Sequence, residues 1–350
     1  MKTHLAGRVE SNGRSIGGRR SIWAKDKLRS VAAFTLLFAA AVWPETAQAT
    51  EGGASIYLLG SGGPEAAMMP PVEGVFFDNS LFYLHASAGG GRQFPVGGNI
   101  VADLEATILA DFPAVLWVPT TDLGGAAFAV GVALPFGEPS VDVSAVITGP
   151  LGGQVGVSRS DSAVIIGDPL VTAALGWSEG NYHWQASTFV NIPIGNYRED
   201  ELANLAFHRL AADFSFAATW HDDESGWDVS GKAGVTFNGE NEDTDYDTGT
   251  ELHFEGAVEK TLSPAWAVGL QAYYFDQVTG DSGAGATLGP FEGEVTGVGA
   301  TVAYHFPIGH MPATLRFRAL TEFNATNRLA GDIAWLEFSV PLHMNPPDAE

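Results

Sequence analysis

The 350-residue sequence has no cysteine, only 17% charged residues and a formal charge of −24. The missing cysteines exclude a disulfide framework and thiolate metal sites. Beyond residue 49, nine Lys and Arg face 38 Asp and Glu, so there is no basic footprint for a nucleic acid.

The first 49 residues hold most of the early basic charge. Arg8, Arg14, Arg19, Arg20, Lys25, Lys27 and Arg29 precede an apolar stretch over 31–43 that is too short to span a bilayer, and Ala47-Gln48-Ala49 follows it. This order predicts a secretory leader, residues 1–49, cleaved after Ala49 and exported by the Sec route. The next stretch, 51–79, is rich in Gly and Pro, which rules out a helix or a central strand. It nevertheless carries Ile56, Tyr57, Leu58, Leu59, Met68 and Met69, too much apolar surface for a free tail. We expect residues 50–71 to form a plug or hatch inside the rest of the chain, entering from the periplasmic side. Its candidate residues are Tyr57, Leu58, Met68, Met69, Pro70 and Pro71.

From residue 72 onward the sequence alternates with period two, one face apolar and the other polar. In 182–192, Tyr182, Trp184, Ala186, Val190 and Ile192 oppose His183, Gln185, Ser187 and Asn191. In 210–221, Leu210, Phe214, Phe216, Ala218 and Trp220 oppose Asp213, Ser215, Thr219 and His221. The segments 227–237, 314–323 and 335–342 repeat the pattern. Such runs reach ten or more residues and carry aromatics at their ends, as a tilted membrane crossing requires. The connections alternate between long and short along the chain.

The reading is an all-β fold: a transmembrane antiparallel up-and-down β-barrel of twelve strands over 72–343, with both ends periplasmic and residues 344–350 as a disordered tail. Parity makes 124–148 a single strand. Its outward phase slips at Gly137-Glu138-Pro139, from Val132, Leu134 and Phe136 to Val141, Val143 and Ala145, which predicts a bulge there. Residues 86–98, 149–168, 194–207 and 277–293 become long outer loops. A fourteen-strand alternative splits the kinked strand and adds 55–59, but breaks the alternation.

Several runs in this frame resemble a known family. They are Met69-Pro70-Pro71-Val72-Glu73-Gly74, Ser160-Asp161-Ser162, Gly167-Asp168-Pro169, Asn191-Ile192-Pro193-Ile194-Gly195-Asn196-Tyr197, Leu202-Ala203-Asn204-Leu205, Phe237-Asn238, Asp243-Thr244-Asp245-Tyr246, Tyr273-Tyr274 and Gly280-Asp281. In order and spacing they are similar to the outer-membrane barrels of the MetA-pathway of phenol degradation group and the related sphingosine-induced outer-membrane proteins. The resemblance covers most of 51–342. It implies uptake of hydrophobic or aromatic compounds, and it supplies no catalytic residues.

Other chemistry is weakly signalled. Gly280-Asp281-Ser282-Gly283 lacks the strand-to-helix context of a nucleophile elbow. His183, His221, His253 and His305 fall on polar faces and read as pore-lining donors and acceptors. The acidic run 242–247 fails the EF-hand pattern, with Thr248 where Gly is needed and Phe254 where a bidentate Glu is needed. Gly60-Ser61-Gly62-Gly63 has no helix behind it to bind phosphate. We expect no enzyme, no cofactor and no metal.

Turning every polar face inward collects Asp103, Glu105, Asp213, Asp228, Glu251, Glu255, Glu259, Glu322 and Glu337 against Arg209, Lys232, Arg316 and Arg318. The constriction candidates among them are Asp103, Glu105, Arg209, Asp213, Lys232, Glu255, Arg316, Arg318 and Glu322. The acidic surplus around Arg316 and Arg318 would disfavour anionic solutes.

The sequence thus points to a channel that passively conducts small hydrophobic or aromatic molecules, captured by apolar loop residues such as Ile165, Ile166, Leu202, Leu205 and Phe207. Its other expected partners are outer-membrane lipids, lipopolysaccharide and the outer-membrane assembly machinery. The rival reading is a barrel that binds lipids or is purely structural and transports nothing.

Overall fold

The computed structural model describes residues 53–96, 99–148, 154–290 and 292–345. The expected leader with its cleavage point, and residues 346–350 of the expected tail, lie outside them.

Twelve antiparallel strands close on themselves. The first, β1 (Gly74–Val96), pairs on one side with β2 (Asn99–Thr120) and on the other with β12 (Ala330–Met344). Between them run β3 (Ala127–Ala133 continuing as Phe136–Thr148), β4 (Gln154–Ser162, Ile165–Ile166 and Leu170–Glu179), β5 (Tyr182–Asn191) and β6 (Ala211–Asp222). They are followed by β7 (Trp227–Asn238), β8 (Glu251–Ser263), β9 (Trp266–Gln277), β10 (Glu294–Ile308) and β11 (Met311–Thr326). Residues 55–59 form no strand, so twelve is the count and the fourteen-strand alternative falls. Met344 is still paired and the Asn345 amide donates to Glu73 at 2.9 Å, so the disorder expected from 344 does not begin there.

Side chains alternate as the pattern requires. Leu109, Trp117, Val132, Phe214, Leu270 and Phe317 point outward and are exposed, whereas Asp213, Thr219, Asp228, Glu255 and Arg316 point inward and are buried. A greasy exterior around a polar interior is the inverse of a soluble barrel and suits a hydrocarbon surround. Trp117, Tyr182, Trp227, Trp266 and Tyr304 mark the end where the connections are short, at the level of an interfacial girdle. Long connections gather at the other end, which is the outer one by the usual barrel asymmetry.

Two expectations are corrected at that outer end. The described residues of 86–98 and 149–168 are mostly strand, and β1 and β2 run for 23 and 22 residues, about twice the 9–11 that a crossing needs. The third strand does not slip phase. Its register with β2 is constant from Ala114↔Ala133 through Asp111↔Phe136 to Glu105↔Asp142, and its local break is at Pro135, which has no N–H to donate. The irregularity sits on β4, whose register against β3 shifts by one residue across Gly167-Asp168-Pro169.

The strand therefore keeps its orientation while its surroundings change. Phe136 faces outward in the belt, but Asp142 and Ser144 face outward above it and Val141 faces in, only 8% exposed. Once the wall clears the membrane, water wets its outer face and the apolar residues turn to the interior. There Ala86, Phe94, Leu104, Val141, Leu202 and Leu329 form one core cluster.

Candidate functional site

The segment from Gly53 to Pro71 runs lengthwise through the lumen. Gly53 lies against Phe94 and Leu329 at the outer end, and Met69 lies against Gly176 toward the turn end. The segment thus starts near the loops and descends to β1, whereas the sequence reading had it entering from below. Having few backbone hydrogen bonds of its own, it takes them from the wall. Glu255 accepts from the Gly60 and Gly62 amides at 3.2 and 2.9 Å. Arg318 donates to the Gly60 and Ser61 carbonyls at 2.8 and 3.0 Å, and Gln271 donates to Gly60 at 2.9 Å. Lower down, Asp228 accepts from the Glu65 amide and Thr219 from the Ala67 amide, both at 3.1 Å.

Charge pairing reinforces this grip. Arg316 joins Glu259 on the wall to Glu65 on the segment, the latter at 3.0 Å, and Arg318 pairs with Glu337 at 2.8 Å. Tyr57 stacks on His253 with ring centroids 3.4 Å apart, under the Lys232 ammonium at 4.9 Å. His253 in turn sits 2.8 Å from Asp213. The Gly60-Ser61-Gly62-Gly63 run now has a reason. Gly60 adopts φ 86°, and a Cβ on Gly62 would lie 2.9 Å from Lys232 and 3.2 Å from Glu255.

Toward the outer end, one carboxylate organises the connection 192–210. Asp168 is buried and accepts from Asn191 Nδ2 and the His208 amide at 3.0 Å, and from the Gly195 and Phe207 amides at 2.8 Å. Asp161 does the same further out, binding Arg198 at 2.7 Å and the Ala203 amide at 2.9 Å. Burial would raise the Asp161 carboxyl, but the Ala203 N–H and the Arg198 guanidinium hold it below the usual carboxylate range. These anchors fold Leu202 and Ala203 into the barrel mouth as buried residues.

Between this inserted loop, the start of the N-terminal segment and the inner faces of β1–β3 lies a cavity of about 200 Å³. Its walls are mostly apolar: Ile56, Leu58, Phe82, Leu84, Leu104, Ile108, Val141, Leu202, Leu205 and Phe207. Its polar lining includes Asp168, Asn191, Asn204, Arg209, Glu322 and Arg328.

Most of the sequence-predicted residues fall inside. Arg209, Asp213, Lys232, Glu255, Arg316, Arg318 and Glu322 face the lumen, but all except Arg209 and Glu322 surround the N-terminal segment and do not border the cavity. Of the segment's own candidates, Tyr57 and Leu58 line the cavity and Met69 meets Gln185 Nε2 at 3.1 Å. Met68, Pro70 and Pro71 lead into β1 at the turn end.

Asp103 and Glu105 are misplaced by the sequence reading. Glu105 lies on the outward face of β2, exposed, 3.8 Å from His85, and Asp103 sits where the β1–β2 register slips, with φ 48°. The inner face there is apolar, with Leu104 and Ala106 buried. Of the expected capture residues, Leu205 and Phe207 line the cavity with Leu202, whereas Ile166 faces outward, 48% exposed. Sequence reasoning missed Asp168 as an anchor and Arg328 as a lining residue. The Gly167-Asp168-Pro169 run was the available signal for the first.

Fold and site together define an outer-membrane β-barrel whose lumen is occupied by its own N-terminal segment. The family described as "Putative MetA-pathway of phenol degradation" matches residues 90–338, and the chain belongs to it. Among solved structures, the COG4313 outer membrane channel from Pseudomonas putida F1 is similar at a TM-score of 0.61 and 17% identity, covering 79% of this chain and 98% of that one. The β domain of the Bordetella autotransporter BrkA follows at a TM-score of 0.42 and 9% identity, covering 77% of this chain and 100% of that one. A Pseudomonas aeruginosa FadL homologue reaches a TM-score of 0.35 at 13% identity, covering 85% and 98%. No curated protein matches the sequence.

Proposed function

We propose that this barrel passively admits small hydrophobic or aromatic molecules across the outer membrane, with residues 53–71 acting as a plug that must yield for a solute to pass. The observation that carries the reading is the cavity, apolar on most of its wall, at the upper end of the segment that fills the lumen. An apolar protein cavity of about 150 Å³ takes up benzene, so this volume suits one aromatic ring. The walls favour a solute of that size with an apolar body.

Export by a Sec leader cleaved after Ala49 belongs to the same proposal, and the N-terminal sequence of the mature protein tests it. Transport is tested with the purified barrel in liposomes, following entry of a neutral aromatic such as toluene beside a variant lacking residues 55–69. Flux through the intact barrel that rises in the deletion variant is the expected result. No flux through either would leave a structural or lipid-binding barrel as the better reading. Equal flux through both would remove the plug role.

A further inference from the structure

The polar lining of the cavity has a particular unmet need. Its two carboxylates are already engaged. Asp168 accepts from four N–H donors, and Glu322 accepts from the Tyr273 hydroxyl at 2.8 Å and the Gly331 amide at 3.2 Å. Its two guanidinium groups each keep one nitrogen without an acceptor. Arg209 is 1% exposed, and its Nε donates to Asn238 at 3.1 Å while its Nη2 is buried without a partner. Arg328 stacks on Phe275 at 4.4 Å, and its Nη1 is likewise buried and unpaired. Glu251, buried nearby, feels the charge of both arginines, but neither of its oxygens has a hydrogen-bond partner. A buried donor without an acceptor is costly, and a charged one more so.

We infer that the cavity is a binding site for an apolar, ring-sized solute bearing one carboxylate, whose oxygens accept from Arg209 and Arg328 while its body lies on the apolar wall. A carboxylate has two oxygens and about four lone-pair sites, so one head can take N–H donors from two guanidinium groups at once. A hydrocarbon leaves both donors unmet, and a hydroxyl offers less acceptor capacity and no charge. Arg316 and Arg318, around which the sequence suggested exclusion of anions, do not oppose this, because both are paired and neither lines the cavity. This inference rests on the cavity being the capture site of the proposed channel.

The test is calorimetric binding of benzoate, benzyl alcohol and toluene to the full barrel in detergent, with folding checked by heat-modifiable gel mobility. Benzoate should bind at least tenfold more tightly than toluene, with benzyl alcohol between them. In Arg209→Gln and in Arg328→Gln the benzoate-to-toluene ratio should fall toward one, whereas a merely structural role would weaken both ligands in proportion. Lys260→Gln, an equal charge loss beside Trp227 at the turn end, should keep the ratio.

Benzoate binding no better than toluene, benzyl alcohol outranking benzoate, or a ratio that survives in both arginine variants would each overturn the assignment. Failure of the transport reading would show separately, as absent flux with the binding preference intact. Failure of this inference alone would leave aromatic flux without a carboxylate preference.

Discussion

Replacing Asp168 by Ala removes the acceptor shared by four N–H groups. A hydrogen bond to a charged group contributes about 1.5–3 kcal/mol, and a buried donor left alone costs about 1–3 kcal/mol. The losses are unequal. Asn191 Nδ2 keeps a second acceptor in the Arg209 carbonyl at 2.9 Å. The part-buried Gly195, Phe207 and His208 amides bear most of the cost, so the connection 192–210 should open more easily by roughly 3–5 kcal/mol.

At about 1.4 kcal/mol per tenfold change, amide exchange at Phe207 and His208 should accelerate at least a hundredfold. Hydrogen-exchange mass spectrometry on the detergent-solubilised barrel reads this directly, with peptides from β5 and β6 as the internal reference. Asp168→Asn keeps one acceptor oxygen but turns an NH2 toward the remaining donors, so it should fall between wild type and Ala. Unchanged protection across 192–210 in a folded Asp168→Ala barrel would refute the claim that this carboxylate holds the loop.

Asp281, in the outer connection 278–293, gives a pH dependence. Burial raises its carboxyl from the usual 3.8 to about 6, against the Tyr246 hydroxyl, the Gly249 amide and Gln277. The folded loop therefore binds the proton more tightly than the unfolded chain does. Its stability is greatest below about pH 4 and falls as pH rises through 6, by roughly 3 kcal/mol in all. Intrinsic-rate-corrected exchange over 278–293 should be slower at pH 5 than at pH 8 and lose that difference in Asp281→Asn, and greater protection at pH 8 would contradict it. Glu255→Ala should raise channel leak in planar bilayers, because the Gly60 and Gly62 amides lose their acceptor, and Glu255→Gln should do so less. Leu109→Arg, on the lipid face of β2, should cost more than Thr107→Arg, one step higher on the same face and nearer to water. Urea titration of folding into liposomes compares the two, and equal costs would remove the wet-to-dry boundary drawn between them.

The strand count, the barrel class and the inward set from Asp213 to Arg318 were legible because period-two alternation reports which side of a wall is wet. That signal has a limit, which Asp103, Glu105 and Val141 expose. Alternation gives two faces but not their surroundings, and the rule that polar means inward holds only within the membrane. Above it, the same strand keeps its geometry while water moves to the other face. The apparent slip at Gly137-Glu138-Pro139 was therefore the membrane boundary crossing a straight strand. A register argument could not find it, because the register did not change. The real bulge at Gly167–Pro169 lay on the neighbouring strand, within what looked like a loop.

The polar lumen also changes meaning once the N-terminal segment is in place. Read from sequence alone, Glu255, Arg316 and Arg318 look like a charged constriction facing water. A Gly- and Pro-rich segment cannot satisfy its own backbone as a helix or sheet would, and buried amides and carbonyls must find partners somewhere. The wall supplies them: carboxylates where the segment presents N–H groups, and guanidinium and amide donors where it presents carbonyls. The charges on this wall thus match the backbone polarity of one particular segment, position by position. A solute moving down the lumen competes with that segment for hydrogen bonds before it meets any ion-selective field. An apolar solute cannot compete, so it must wait for the segment to loosen, whereas the cavity above asks for no such exchange.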